Sequence, residues 1–325
     1  MTNPEAIEEA KRAAARQAVA DHFDPSFRYV GIGSGTTIIY VVDAIKETLS
    51  DEQKEMIVFV PTGYQSRSVI IKAGLRPTAF DSLLPHQVLD VAFDGADEVD
   101  EELNCIKGGG ACLFQEKLVA ERARKFICVA DYRKDQARLL TGWPSIPIEV
   151  APIAVWIVIA ALKKLGSPNP VTRDGLLAKA GPMKTDQDFF IVDAPFPPLL
   201  TKKDVESGSD IDLSTVTAQH GDKEGKGGDL SLDKEASSKG VKASGSAAKI
   251  GSGQGGKWNV HELSKAIKSI TGVLEVGIFA GLDGIEAEEQ GVHGGQKPVA
   301  VYFGMTDGSV KVRTAPGREN PKRKS

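Results

Sequence analysis

Val88-Leu-Asp-Val-Ala-Phe-Asp94-Gly-Ala-Asp97-Glu-Val-Asp100 is the stretch on which the reading of this chain turns. Val88 to Phe93 is a mostly apolar run of strand length, and carboxylates follow at once. In open α/β sheets, ligands bind beyond the carboxyl ends of the strands. Asp94 and Asp97 therefore stand where a small molecule would be held. Lys107-Gly-Gly-Gly-Ala-Cys-Leu-Phe-Gln-Glu116 comes next and adds a cation, a glycine turn that lets backbone approach a ligand closely, and another carboxylate. Carboxylates beside a lysine on such backbone are the groups needed to move protons on a small anionic substrate.

Outward from this stretch, the same strand–turn–helix pattern recurs. Asn3 can cap a helix begun by Pro4, with Ile7, Ala10, Ala14 and Ala18 at helical spacing. Arg28 to Ile32 reads as a strand, then a glycine-rich turn, then an apolar helix from Thr37 to Leu49. Met56 to Val60 is a second strand, and Thr62 opens a helix ending near Gly74. A helix from about Ala111 to Arg124 precedes the strand Phe126 to Ala130. This alternation predicts a parallel sheet covered on both faces.

Past Trp143-Pro144 the character changes. Ile146 to Val150, the helix Pro152 to Leu165, Phe189 to Asp193, the helix Val260 to Ile270 and Gly277 to Ala280 predict a small α+β layer. Val299 to Phe303, the turn Thr306-Asp-Gly308 and Val310 to Arg313 carry a hairpin signal that returns to the first unit. The expected domains are 1–144 plus about 298–325, and 145–297. Residues 201–257 interrupt the second, with 11 Gly, 9 Ser and 9 Lys among 57 residues and no Phe, Trp or Tyr. Such a composition buries too little apolar surface to offset ordering entropy, so a disordered insertion is expected. Within it, Gly251 to Gly256 spells a dinucleotide fingerprint and Gly251 to Lys257 nearly spells a phosphate loop. No convincing strand precedes either, and Trp258 stands where a magnesium-holding hydroxyl is needed.

Composition narrows the classes of function. A net charge of −4 over 325 residues gives no field favouring nucleic acid. Three cysteines, Cys105, Cys112 and Cys128, fit neither a disulfide framework nor a zinc spacing. The longest apolar run, Ala151 to Leu162, is too short to span a bilayer, and the acidic start Met1 to Glu9 resembles no signal or transit peptide. A cytoplasmic protein without membrane or nucleic-acid partners is expected.

Several residues admit two readings. Gly31-Ile-Gly-Ser34-Gly35-Thr36-Thr37 can bind phosphate on helix N–H groups and hydroxyls, or be a tight turn with a capping hydroxyl. Thr62 can touch substrate or cap its helix. Glu98, Asp100, Glu101 and Glu102 read as a solvated acidic face. Glu116-Lys117 reads as a surface pair unless Glu116 reaches back over the glycine turn. Cys112 reads as a small core residue, and Lys134 as either a site lysine or a charged loop residue.

Taken together, Gly31 to Thr37, Asp94 to Asp100, Ile106 to Gly110 with Glu116-Lys117, Val129-Ala-Asp131 with Lys134, and Pro147 to Val150 resemble the ribose-5-phosphate isomerases of the A type. The resemblance covers most of the chain outside the insertion. It implies a Rossmann-like parallel-sheet domain with a smaller α+β, ferredoxin-like lid domain. It implies interconversion of ribose 5-phosphate and ribulose 5-phosphate in the non-oxidative pentose phosphate pathway, with no cofactor or metal, by a homo-oligomer (dimer or tetramer). Glu116 is implied as the general base, Asp94 in ring opening or oxygen-bound proton transfer, and Lys107 with the amides of Gly108, Gly109 and Gly110 in stabilising an enediolate. Ser34, Gly35, Thr36, Thr37, Gly95, Ala96, Asp97 and Lys134 are implied as substrate contacts. The first loop departs from the family pattern, reading Ser-Gly-Thr-Thr where Thr-Gly-Ser-Thr is usual.

Overall fold

Apolar strands of four to six residues alternate with helices that bury one stripe, and the chain stacks them in that order. A computed structural model describes residues 4–175, 180–208, 211–220, 250–292 and 294–318. Helix α1 (Pro4–His22) leads to β1 (Tyr29–Ile32), α2 (Ile38–Thr48), the short α3 (Asp51–Met56), β2 (Val58–Pro61), α4 (Tyr64–Lys72) and β3 (Arg76–Pro77). Then come β4 (Val91–Asp94), the two-residue strands β5 (Glu98–Val99) and β6 (Cys105–Ile106), α5 (Leu113–Arg122) and β7 (Phe126–Asp131). The next stretch holds β8 (Ile146–Val150), α6 (Val155–Lys164), β9 (Val171–Thr172), β10 (Phe190–Ala194), α7 (Lys202–Ser207), α8 (Val260–Lys268) and β11 (Val273–Val276). The chain continues through β12 (Ile278–Phe279), α9 (Gly284–Glu289), β13 (Ala300–Gly304) and β14 (Val310–Thr314).

The large sheet runs β14-β13-β7-β4-β1-β2-β3, parallel throughout except for the terminal hairpin β13–β14. From β1 the chain moves outward to β2 and β3, then returns to the other side of β1 at β4. The strand order thus reverses between β1 and β4, which opens a crevice at their carboxyl ends. Ala10, Ala14 and Ala18 of α1 are buried with Val41 and Ile45 of α2 on one face of the sheet. Val119 and Ala120 of α5 close the other face, with Phe126 and Phe279. A second sheet, β11-β8-β10-β9, is antiparallel and carries α6 and α8 over its own core of Ile148, Val158, Val192 and Leu263. The mixed, mostly parallel α/β architecture with a separate antiparallel layer is the one expected.

Three expectations change. Ile278-Phe279 does not join the antiparallel layer; β12 pairs with β6 in a small sheet β12-β6-β5. Gly277 makes the switch, its N–H donating to Pro147 O at 2.7 Å while its carbonyl accepts from Lys107 N at 2.9 Å.

The ends of the glycine-rich segment are structured. α7 starts with a capping box between Thr201 and Asp204, and Asp204 ion-pairs with Arg138. Gln219 N donates to Gln136 Oε1, and Lys202 N donates to Glu102 Oε1. Composition could not show these contacts because their partners lie outside the segment. Residues 209–210 and 221–249, the rest of the expected insertion, lie outside the described residues.

The acidic face is solvated only in part. Glu101 and Glu102 reach solvent, whereas Glu98 and Asp100 are each 1% exposed. Glu98 accepts the amides of Leu140, Thr141, Gly142 and Trp143, so its carboxylate holds that loop by converging N–H groups. Asp100 accepts from Glu102 N and Asn104 N and from the Asn104 side chain.

Leaving several buried donors unpaired is costly, so Glu98→Ala is expected to lower unfolding free energy by roughly 3 kcal/mol. Glu101→Ala, at an exposed site, should stay within about 0.5 kcal/mol. Denaturant midpoints measure both, and equal midpoints would show that Glu98 does not hold the loop.

Candidate active site

Four elements converge on the crevice between β1 and β4. Asp94 ends β4, and its side chain lies so close under the β1 turn that a Cβ on Gly33 would stand 1.9 Å from Oδ1. Only glycine allows that approach. Asp94 Oδ1 accepts from Ser34 N at 3.1 Å and Gly95 N at 2.7 Å, while Oδ2 lies 2.9 Å from Lys107 Nζ. Lys107 comes off β6, donates to Gly95 O at 2.6 Å and stands 3.4 Å from Glu116 Oε2. Glu116, in the first turn of α5, accepts from Ser34 Oγ at 2.5 Å through Oε1. Ser34, Asp94, Lys107 and Glu116 thus close a ring of contacts, with Asp94 2%, Lys107 3% and Glu116 4% exposed.

Two carboxylates share one ammonium here. Burial favours the neutral carboxyl at Asp94, the charge of Glu116 adds to it, and Lys107 pulls back; the balance pushes Asp94 up to about 7. Burial works against the charge of Lys107, but Asp94 and Glu116 outweigh it and hold the ammonium well above the ordinary lysine range. Asp97 is raised, by burial first, against the pull of Lys134 and the Gly109 amide. Asp94 Oδ2 and Glu116 Oε2 accept no directed hydrogen bond and meet only Lys107. One site therefore holds a carboxyl able to gain or lose a proton near neutrality, a second carboxylate, and a fixed cation.

The glycine turn and the β1 loop frame the ring. Gly108 has a positive φ of 107°, and Gly109 N donates to Asp97 Oδ2 at 2.7 Å. Gly110 lies beside Ser34, and half-buried Ala96 adjoins Asp97. Gly35 and Thr36 are exposed; Gly35 N donates to Gln65 Oε1 at 2.8 Å, and Thr36 Oγ1 accepts from Lys11 Nζ at 3.2 Å. Thr37 is buried and makes no capping hydrogen bond to α2. Lys134 stands apart from the ring, with Nζ over the Trp143 ring at 4.6 Å.

Other readings resolve differently. Thr62 does not cap α4: its Oγ1 is buried without a partner, and Gly63 holds the N-cap position. Asp186, from the second layer, accepts from Tyr64 N at 2.7 Å instead. Lys117 is no surface residue; it is 3% exposed, 3.0 Å from Glu275, and donates to the carbonyls of Val276 and Ile278. The thiol of Cys112 is pushed up to about 12 by burial, with Glu116 adding to it, which leaves it protonated near neutrality.

Lys11, Gln65, Glu149 and Arg173 were not singled out in the sequence. Lys11 had a signal: it interrupts the apolar stripe of α1 between Ile7 and Ala14. Glu149 had one too, a carboxylate in a strand buried along its whole length.

A doubly wound α/β sheet with an acid–lysine–acid cluster at its switch point has the groups and the crevice that proton transfer on a small ligand requires. The family model of ribose 5-phosphate isomerase A (phosphoriboisomerase A) matches residues 58–217. The ribose-5-phosphate isomerase of Mycosarcoma maydis is 39% identical over 312 residues, covering 96% of this chain and 82% of that one. That of Candida albicans is 35% identical over 314 residues, covering 96% and 99%. Among solved structures, a D-ribose-5-phosphate isomerase in complex with phospho-erythronic acid superposes with a TM-score of 0.66 at 28% identity, over 95% of this chain and 99% of that one. Ribose 5-phosphate isomerase A from Methanocaldococcus jannaschii gives 0.63 at 25% identity, over 94% and 99%. The chain belongs to the ribose 5-phosphate isomerase A family.

Among the described residues, no group of three or more His, Cys, Asp and Glu is disposed to hold a metal ion, and no helix is long and apolar enough to cross a membrane.

The raised pKa of Asp94 has a consequence for stability. Between the ordinary value of 3.8 and about 7, the folded chain keeps a proton that the unfolded chain has released. This contribution favours the fold at low pH and is lost as pH rises through about 7. Asp94→Asn should flatten the fall of unfolding free energy with pH in that window by up to ~1.4 kcal/mol per pH unit. Parallel wild-type and variant curves between pH 4 and 7 would contradict it.

Proposed function

We propose that this protein interconverts D-ribose 5-phosphate and D-ribulose 5-phosphate, an aldose–ketose isomerisation of the non-oxidative pentose phosphate pathway. The observation that carries the reading is the contact of Glu116 and Asp94 with one buried ammonium, Lys107, at the switch point of the sheet. Glu116 takes the proton from C2 of the open-chain aldose, and the electrons move onto the carbonyl oxygen at C1. The enediolate oxygen faces Lys107 and the amides of the glycine turn, whose donors stabilise charge as it develops in a site that excludes water. The same carboxyl then returns the proton to C1. Asp94, titrating near neutrality, opens the sugar ring or moves the oxygen-bound proton.

Asp97 holds hydroxyls of the sugar. The phosphate goes to the β1 loop, where Gly35, Thr36 and Thr37 precede α2 and the helix start favours an anion. Lys11, already beside Thr36, adds a cation there, and Lys134 reaches the same rim. Residues 145–297 form the lid domain over a catalytic domain of residues 1–144 and 298–325, and the protein is a cytoplasmic homo-oligomer. Support for assembly comes from Ile153, Trp156 and Ile157 at the start of α6, which are 94%, 81% and 67% exposed.

Incubation with ribose 5-phosphate in deuterated water is expected to yield ketose, with solvent deuterium at C1; no ketose would sink the reading. Glu116→Gln should fold normally and lower turnover by at least ~10²-fold, the low end for losing a general base. Near-normal turnover would remove Glu116 from that role. If α6 lies in the assembly contact, Trp156→Glu should lower the sedimenting mass by at least half, and an unchanged mass would exclude that face.

A further inference from the structure

Arg173 follows β9 in the antiparallel layer, yet its side chain ends on the glycine turn of the other sheet. Nη1 donates to Gly108 O at 3.0 Å and to Gly109 O at 3.1 Å. Nε and Nη2 grip Asp193 of β10 at 2.7 and 2.6 Å, a bidentate pair that fixes the guanidinium plane. β9 and β10 are hydrogen-bonded neighbours, Val171 opposite Asp193, so the pair is carried on one rigid ladder.

The peptides of this turn are trans, and a trans peptide points its N–H away from its carbonyl. With Gly108 O on Arg173, the N–H of Gly109 faces the opposite side, where it meets Asp97 Oδ2 at 2.7 Å. With Gly109 O also on Arg173, the N–H of Gly110 is turned to that opposite side as well. Gly110 lies there beside Ser34, the residue hydrogen-bonded to Glu116: a Cβ built on Gly110 would be 3.7 Å from Ser34 Oγ. Glycine has little intrinsic preference among backbone conformations, so beyond the turn's own hydrogen bond from Ala111 N to Gly108 O at 3.1 Å, the grip of Arg173 adds an outside restraint on the peptide orientation. The antiparallel layer supplies a second restraint of opposite sign at the end of the turn, where Glu149 Oε2 of β8 accepts from Phe114 N at 3.1 Å.

We propose that Arg173 is a positioning residue for the isomerisation: anchored on Asp193, it sets the peptide orientation of Gly108 to Gly110 that keeps the Gly109 amide on Asp97 and aims the Gly110 amide at the developing enediolate. The inference rests on the isomerase reading and deepens it, since Arg173 acts through the turn and needs no contact with the sugar phosphate.

The test compares wild type, Arg173→Gln and Arg173→Lys, with phospho-erythronate as a probe whose carboxylate places charge where the enediolate oxygen would form. Arg173→Gln should lower kcat by about 30-fold or more, towards the 10²–10³ that losing an oxyanion donor costs. KM for ribose 5-phosphate should stay within about threefold, and the inhibition constant of phospho-erythronate should rise in step with the loss of kcat. Arg173→Lys should recover only part of this, because one ammonium cannot hold a carboxylate and two carbonyls in a fixed fork. An unchanged kcat, a rise in KM alone, or unaltered phospho-erythronate inhibition overturns the proposal. Should Arg173→Gln fail to fold, Asp193→Asn keeps the guanidinium and frees it; the same coupled loss supports the proposal, and wild-type kinetics overturn it. Wild type that forms no ketose overturns the isomerase reading together with this inference. Wild type that isomerises, beside variants that match it, overturns this inference alone.

Discussion

A single ammonium held between two carboxylates, out of reach of water, governs the design of this protein. Removing one partner from such a buried group typically costs 3–5 kcal/mol, because an uncompensated charge remains. The fold must therefore bring Asp94 and Glu116, from two other elements, to 2.9 and 3.4 Å from the Lys107 ammonium and keep them there. The backbone around the ring is arranged for this. The close approach at Gly33 brings the β1 turn onto Asp94, and the pairing of β6 with β12 fixes Lys107 through the Gly277 carbonyl. Phe279 of β12 then lies against two buried ammonium groups, 5.4 Å from Lys107 and 4.8 Å from Lys117.

The antiparallel layer shares in building the site. Lys117, one residue past Glu116, reaches from α5 to the carbonyls of Val276 and Ile278, while Glu149 holds the start of the same helix. Arg173 grips the glycine turn from the same layer, and Asp186 accepts from Tyr64 N at the start of α4. The first turn of α5 is thus fastened on both sides of Glu116 by residues of the second sheet. As the proposed base, Glu116 needs such fixity, since small misplacements of reacting groups are costly in rate.

Much of this was legible in the sequence, because strands, helices and their alternation are local patterns. The β1, β4 and β7 segments and the helices between them declare themselves by apolar run and period, and the cluster Asp94, Lys107 and Glu116 sits within one short span. What escaped was set at long range or by unusual burial. Glu98 looks solvated until the amides of residues 140–143, some forty positions on, are brought to it. The helix Asp51–Met56 has no buried residue and so no stripe, although Ser50 and Gln53 spell its capping box. A two-residue strand such as Ile278-Phe279 carries no signal of its partner. Arg173 and Asp193 read as ordinary charges until the second sheet is laid against the glycine turn.

The proton on Asp94 links this architecture to the chemistry. In the proposed reaction Glu116 becomes neutral as the enediolate forms, so with Asp94 ionised the charge of Lys107 is cancelled and the ring offers the oxyanion no net positive charge. With Asp94 protonated, the charges of Lys107 and Glu116 cancel before that step. Once Glu116, as the proposed base, has taken the substrate proton, Lys107 remains as an uncancelled cation beside the new oxyanion. Burial, the force that lifts Asp94 to about 7, thus also sets the charge of the ring to suit the intermediate. A more open crevice would lower the affinity of Asp94 for its proton and weaken the pull of Lys107 on the intermediate. The tight closure at Gly33 and the enclosing second sheet are therefore as much a part of the proton-transfer machinery as the carboxylates themselves.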